Sequence, residues 1–332
     1  FVYVCAHFLL DHPFCPNTQT EMRAFRLAGG IRRCHKRLHR RALAAACKSF
    51  ITGGMAHRIN QTIVVGASGR VGRLIARAWA LAGQAPTLQH RRAGLPSDLP
   101  QLEWHPLSAA PLEPGRFGAM IVLAGAVRGD LSLNAYLAEA CCAAAVQAGI
   151  GQVLLASSSA VYGANGGLAC REDTATDPVN DYGRAKLAAE AVADRWRARG
   201  LAITALRIGN VAGADALLGG IQPGEPTKID CFADGTGPVR SYIGPRTLAD
   251  VMVRLLGQDL PPVLNIGAPH PVAMADLAQA AGADWRYQAA PATAYQRITL
   301  DCSLLAQRYD FSETQSDAAA MVAEWRSTRG PQ

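Results

Sequence analysis

The sequence predicts an α/β fold built on a doubly wound parallel sheet, with a small C-terminal substrate-binding lobe. Three observations predict it. Short apolar runs such as Ile63-Val64-Val65 and Ala119 to Leu123 read as strands buried on both faces. Segments of helical period alternate with these runs, which is the pattern of parallel strands joined by crossover helices. A composition of 49% apolar and 18% charged residues excludes disorder and supplies a core for one large domain plus a lobe.

Charge divides the chain. The formal net charge is +7 over 332 residues. Residues 1–54 hold nine Lys/Arg against Asp11 and Glu21, which accounts for the whole excess. The other 278 residues carry 24 side chains of each sign, so a uniformly cationic surface wrapped on nucleic acid is excluded for the body. Arg32/Arg33, Lys36/Arg37 and Arg40/Arg41 recur every four residues and read as a basic helix over 31–49. Three readings are open for this extension: a presequence, a surface for anionic lipid or nucleic acid, or a segment outside the folded enzyme. The last is preferred, because Met55 opens a short polar stretch followed directly by a strand. The expected division is therefore 1–54 as extension, 55–213 as dinucleotide-binding domain and 214–332 as mainly the lobe, with 246–267 returning to the sheet.

No run approaches the roughly 20 apolar residues of a membrane-spanning helix, so no membrane association is expected of the body. Cys141, Cys142, Cys170, Cys231 and Cys302 are spread through it without Cys-x-x-Cys spacing, which argues against a disulfide framework or zinc ribbon. A reducing, cytoplasmic setting is expected. His35 and His39 stand beside Cys34 without a fourth ligand, and no metal site is expected.

The first strand, Ile63 to Val65, runs into Gly66-Ala67-Ser68-Gly69-Arg70-Val71-Gly72, after which Leu74, Ile75, Ala78 and Trp79 keep a helical period. Strand, glycine turn and helix is the order a phosphate-binding unit needs. Glycines let the backbone turn and approach a pyrophosphate, and the helix start offers free N–H groups and a positive dipole. Ser68, Gly69, Arg70 and Val71 are the candidate contacts. The second strand, Pro86 to His90, is followed by Arg91 and Arg92, and no carboxylate lies between Gly66 and Ser97. An NAD site of this type uses an acidic residue there for the ribose 2′-hydroxyl, whereas guanidinium groups suit a 2′-phosphate. The expected cofactor is NAD(P), leaning to NADP. The third strand, Ala119 to Leu123, ends in Ala124-Gly125, small enough for a cofactor to lie across it. Asn134 to Ala148 has helical composition and leads to the strand Gln152 to Ala156.

That strand runs into Ser157-Ser158-Ser159-Ala160-Val161-Tyr162-Gly163, and Tyr182-Gly183-Arg184-Ala185-Lys186 heads a helix. Tyr182 and Lys186 are spaced i, i+4 and share a helix face. A phenol with a pKa near 10 needs a neighbouring ammonium to shuttle protons at neutral pH. A serine at the adjacent strand end can hydrogen-bond the reacting oxygen without changing charge.

With these three motifs in order, the chain resembles the NAD-dependent epimerase/dehydratase family, the extended short-chain dehydrogenase/reductases, over nearly all of residues 59–330. The resemblance implies a Rossmann-type sheet, with Ser158 as catalytic hydroxyl, Tyr182 as acid/base and Lys186 holding the nicotinamide ribose. It places Asn210, in Leu206-Arg207-Ile208-Gly209-Asn210, facing substrate. It gives Arg240, in Gly235-Thr236-Gly237-Pro238-Val239-Arg240, to a substrate phosphate, and makes Leu264 to Gly267 the returning strand. Trp104-His105-Pro106-Leu107 stands where the family has Asp-Leu, Gly209 replaces proline, and Gly244-Pro245-Arg246-Thr247 replaces His-Val-x-Asp. The activity implied is redox chemistry at a secondary alcohol or ketone of a nucleotide sugar or related carbohydrate, epimerase-like because no acidic pair follows Ser158. Family members are often homodimers. The alternatives are an NADPH-dependent carbonyl reductase of a smaller substrate, and a non-catalytic dinucleotide sensor on the same fold.

Overall fold

The computed structural model describes residues 58–329, apart from 92–94, 96, 109 and 223. The expectations placed on residues 1–54, Met55 and Arg92 lie outside the described residues. The central sheet is built from β1 (Thr62–Val65), β2 (Thr87–His90), β3 (Gln101–Glu103), β4 (Ala119–Val122), β5 (Gln152–Ser158), β7 (Ile203–Ile208) and β12 (Val263–Ile266). Their spatial order is β12-β7-β5-β4-β1-β2-β3, and every pairing is parallel.

Alternation along each strand divides the core into two layers, as a period of two requires. Val64, Ile121, Leu154 and Ala156 face one layer with Ile75, Trp79, Leu248 and Met252. Ile63, Val65, Met120, Val122, Val153 and Leu155 face the other, with Cys141, Cys142, Ala145, Ala189 and Val192. The first layer belongs to helices α1 (Arg70–Leu81) and α4 (Pro245–Leu255), and the second to α2 (Leu133–Ala148) and α3 (Asp181–Arg197). Helices on both faces explain why the central strands read as continuous apolar runs. Trp79 also donates its indole N–H to the Ala249 carbonyl at 3.0 Å, tying α1 to α4.

The remaining strands are short. β6 (Ala169–Cys170), β10 (Val239–Arg240), β13 (Val272–Ala273) and β15 (Arg297–Leu300) form a four-stranded sheet. β8 (Asn210–Val211) pairs with β11 (Tyr242–Ile243), and β9 (Thr227–Cys231) with β14 (Trp285–Ala289). Ala212, Leu218, Ile229, Tyr242, Leu277, Met321 and Trp325 give the lobe its own core. Its last helix, α7 (Ala318–Thr328), is wedged tightly. Gly213 has φ +87°, and a Cβ there would lie 1.9 Å from the Trp325 ring. Glu324 of α7 accepts from the Thr247 N–H at 2.8 Å and the Thr247 hydroxyl at 2.6 Å, which satisfies the head of α4. Among the described residues no helix is long and apolar enough to cross a membrane.

Candidate active site

The chain runs from β1 outward through β2 to β3, then crosses back to β4, so the sheet reverses direction between β1 and β4. A crevice opens beyond the carboxyl ends of strands at such a reversal. The glycine turn lies there. Gly66 has φ +86°, and a Cβ on it would meet the Ala124 nitrogen at 2.4 Å, so neither a left-handed-averse residue nor a larger one fits. Its N–H donates to Gln89 Oε1 at 3.0 Å. Gly69 caps α1 in extended conformation, while Ser68, Gly69 and Arg70 are exposed at the helix head. Val71 is half-buried in the first turn, and Gly72 is buried against the Gly66 carbonyl and Ala67. Arg91 is exposed beyond the end of β2.

Across the crevice, Ala124 donates its N–H to the Val65 carbonyl at 3.1 Å, and Gly125 follows. A Cβ on Gly125 would stand 2.5 Å from Asn134 Oδ1 and 2.9 Å from Lys186 Nζ. Asn134, near the start of α2, is only 3% exposed, and its Nδ2 donates to the Ala126 and Leu131 carbonyls. Its Oδ1 has no protein partner, an acceptor held ready beside Gly125 and Lys186.

The Asn180 side chain caps α3 by accepting from the Gly183 N–H at 2.8 Å, which starts the helix one turn before Lys186. Tyr182 hydrogen-bonds Ser158 at the end of β5. Lys186 is 6% exposed, donates Nζ to the Ala156 carbonyl at 3.0 Å, and stands 5.9 Å from the centre of the Tyr182 ring. Burial raises the Tyr182 pKa, opposed by the Ser158 hydrogen bond and the charge of Arg70. Burial lowers the Lys186 pKa to about 8, opposed by the carboxylate of Glu190. The structure thus brings Ser158, Tyr182, Lys186, Ala124 and Gly125 together at one crevice with the glycine turn.

Asn210 and Arg240 lie in the lobe strands instead. Asn210 bonds the Tyr242 side chain, whose hydroxyl donates to Asp215 Oδ2 at 2.8 Å. Burial raises the Asp215 carboxyl pKa against these donors. Arg240 donates to the Val239, Gln296 and Tyr295 carbonyls at 2.7–2.8 Å. Three residues escaped the sequence reading: Asn134, Glu190 and Arg207. Arg207 carried a usable signal, being a cation inside the apolar strand Ile203–Ile208.

A seven-stranded parallel Rossmann sheet, with a glycine turn at its reversal and Ser158, Tyr182 and Lys186 gathered beside it, defines the extended short-chain dehydrogenase/reductase class. Within that class the chain carries the domain of the NAD dependent epimerase/dehydratase family, matched over residues 124–267. A UDP-glucose 4-epimerase of Azospirillum brasilense is 33% identical over 178 residues, which are 47% of this chain and 50% of that protein. The chain thus matches about half the length of that curated relative. The solved structure of MoeE5 in complex with UDP-glucose and NAD is 25% identical, with a TM-score of 0.64 over 80% of this chain and 98% of that one. That of TunA, an NAD-dependent NDP-hexosamine 5,6-dehydratase involved in tunicamycin biosynthesis, shares the fold at 20% identity. Its TM-score is 0.66 over 81% of this chain and 98% of that one.

Proposed function

We propose that the chain is an NAD(P)-dependent enzyme acting on a secondary alcohol or ketone, carried by a nucleotide sugar or related carbohydrate. The observation that carries this reading is the Tyr182 hydroxyl bonded to Ser158, one helical turn from a buried lysine at the mouth of a dinucleotide crevice. The residues present fit the cofactor. Gly66, Ala124 and Gly125 leave a cradle that Cβ atoms or larger side chains would fill, the head of α1 is exposed, and Asn134 Oδ1 is an unpaired buried acceptor. Gly66, Ser68, Gly69, Arg70, Val71 and Gly72 would hold the pyrophosphate side, and Ala124, Gly125, Tyr182 and Lys186 the nicotinamide side.

A bound nicotinamide dinucleotide supplies the two-electron redox chemistry. Tyr182 takes the proton of the substrate hydroxyl as the carbonyl forms and returns it on reduction. Ser158 hydrogen-bonds the reacting oxygen, and Lys186 favours the Tyr182 phenolate by its charge. Asn210 faces the substrate and Arg240 pairs with its phosphate. Preference for NADP over NAD rests on the end of β2. There Gln89 is spent on the Gly66 N–H and the Trp104 carbonyl, no carboxylate is present, and Arg70 and Arg91 are exposed.

The missing ribose carboxylate also favours a second reading, an NADPH-dependent carbonyl reductase. Absorbance at about 340 nm separates the two, since an epimerase shows no net change and a reductase consumes the cofactor. In either case Tyr182→Phe should abolish turnover while NADP+ still binds more tightly than NAD+. Undiminished turnover would sink the mechanism.

The cytoplasmic assignment is part of this proposal, supported by five free cysteines among the described residues. So is a homodimer, supported by Tyr136 and Val146 exposed on α2, with light scattering as its measurement. The division at residues 54 and 213 stands on the same footing.

A further inference from the structure

Glu190 lies on α3 one turn beyond Lys186. Its side chain is 5% exposed and that of its partner Arg207, on β7, is 7% exposed. Arg207 grips the carboxylate with two nitrogens, Nη2 to Oε2 at 2.8 Å and Nε to Oε1 at 3.1 Å. The Ser157 hydroxyl adds a 2.5 Å bond to Oε1. Ser157 stands on β5 between Ser158 and Ala156, the residue whose carbonyl receives Lys186. The contacts continue outward. Arg207 covers the Tyr162 ring at 4.6 Å and donates to the Glu172 carbonyl at 3.3 Å. The Tyr162 hydroxyl donates to Asn265 Oδ1 at 2.7 Å, and the Asn265 N–H donates to the Glu172 carboxylate at 2.9 Å. One polar network therefore joins α3, β5, β7, β12 and the loop before α3.

Such a pair is a costly way to fasten a helix. Two well-packed apolar side chains of similar volume would hold α3 to the sheet without desolvating two charges. What they would lack is a carboxylate under Lys186. We propose that Glu190 is a positioning residue for the redox site. Clamped by Arg207 and Ser157, it fixes how α3 sits against β5 and β7, and its charge is the counter-charge that lets the Lys186 ammonium stay buried.

The inference takes its catalytic meaning from the roles proposed above for Tyr182 and Lys186, yet testing it needs neither cofactor nor substrate. The groups around the ammonium are Tyr182 and Glu190 on α3, the Ala156 carbonyl on β5, and the Asn134 amide on α2. Farther out, α2 carries Glu139, paired with Arg195, and the buried thiols Cys141 and Cys142; Arg207 is committed to Glu190, and Arg70 acts on Tyr182.

Lysines occur in this chain only at Lys36, Lys48, Lys186 and Lys228. Nuclear magnetic resonance of the full chain with isotope-labelled lysine ε carbons therefore follows Lys186 directly, its signal identified by loss in Lys186→Arg. The native titration midpoint is expected near about 8. Glu190→Gln should lower it by about half a pH unit or more, because the ammonium loses an attracting charge. The double variant Glu190→Leu/Arg207→Met refills the space with apolar volume, so it folds where the single variant does not, and should show the same fall. Ser157→Ala removes one donor from the carboxylate and should raise the midpoint. An unmoved midpoint in the folded double variant or in Ser157→Ala overturns the inference, since a purely structural pair would leave Lys186 unchanged. Undiminished turnover in Tyr182→Phe would instead overturn the proposed function and leave this titration as it is.

Discussion

Gly125 shows how one missing methyl group organises the site. Its neighbours on the two sides come from different helices, Asn134 from α2 and Lys186 from α3, and both approach the space a Cβ would occupy. Gly125→Ala should therefore displace the amide and the ammonium together. Losing one charge-assisted contact is worth about 1.5–3 kcal/mol, so NADP+ affinity should fall roughly tenfold or more, read by fluorescence titration. Retained affinity would mean that Asn134 and Lys186 do not meet the cofactor. The glycine turn and the Tyr-x-x-x-Lys spacing were legible because both are local patterns, each set by the geometry of a single turn or helix. Asn134, Glu190 and Arg207 were not. Their burial depends on partners distant in sequence, such as the 17 residues that separate Glu190 from Arg207.

At the scale of elements, β1, β4 and β5 were legible as apolar runs because helices cover both sheet faces. β2 and β7 were partly masked by buried polar residues, Gln89 and Arg207, which the network and the turn require. The lobe strands left no signal, since two-residue strands such as Val239–Arg240 are too short to show a period of two. The joint between lobe and sheet makes its own prediction. α4 begins at Pro245 with no side-chain cap of its own, and Glu324 of α7 serves two of its donors. Glu324→Ala should cost about 1–3 kcal/mol in denaturant unfolding, because the Thr247 N–H loses its acceptor at a half-buried helix head. An unchanged unfolding midpoint would show the cap to be dispensable.

For the molecule as a whole, buried thiols and phenols govern the response to alkali. Burial pushes Cys142 and Cys302 from 9.0 up to about 12, and Tyr162 and Tyr309 from 10.0 up to about 12; Cys141 moves in the same direction. Each group keeps its proton in the folded chain at pH values where the unfolded chain has lost it. The stability these groups contribute is full below about pH 9 and drains away as pH rises towards about 12. Lys186 runs the other way, its lowered pKa adding stability between about 8 and 10.5. Five groups outweigh one, so the thermal midpoint followed by circular dichroism should fall steadily above about pH 9. A midpoint that holds to about pH 11 would contradict this.

The wedge of Trp325 against Gly213 also has a meaning in time. During synthesis a chain emerges from its N-terminal side and its earlier parts fold first. The glycine turn, the sheet and the Ser158–Tyr182–Lys186 crevice all precede α7, so each is released from the ribosome before the indole that fills the space over Gly213 and the carboxylate that completes α4. The nascent protein thus acquires its dinucleotide crevice while the lobe is still open, and closure of the lobe is the last step of its maturation.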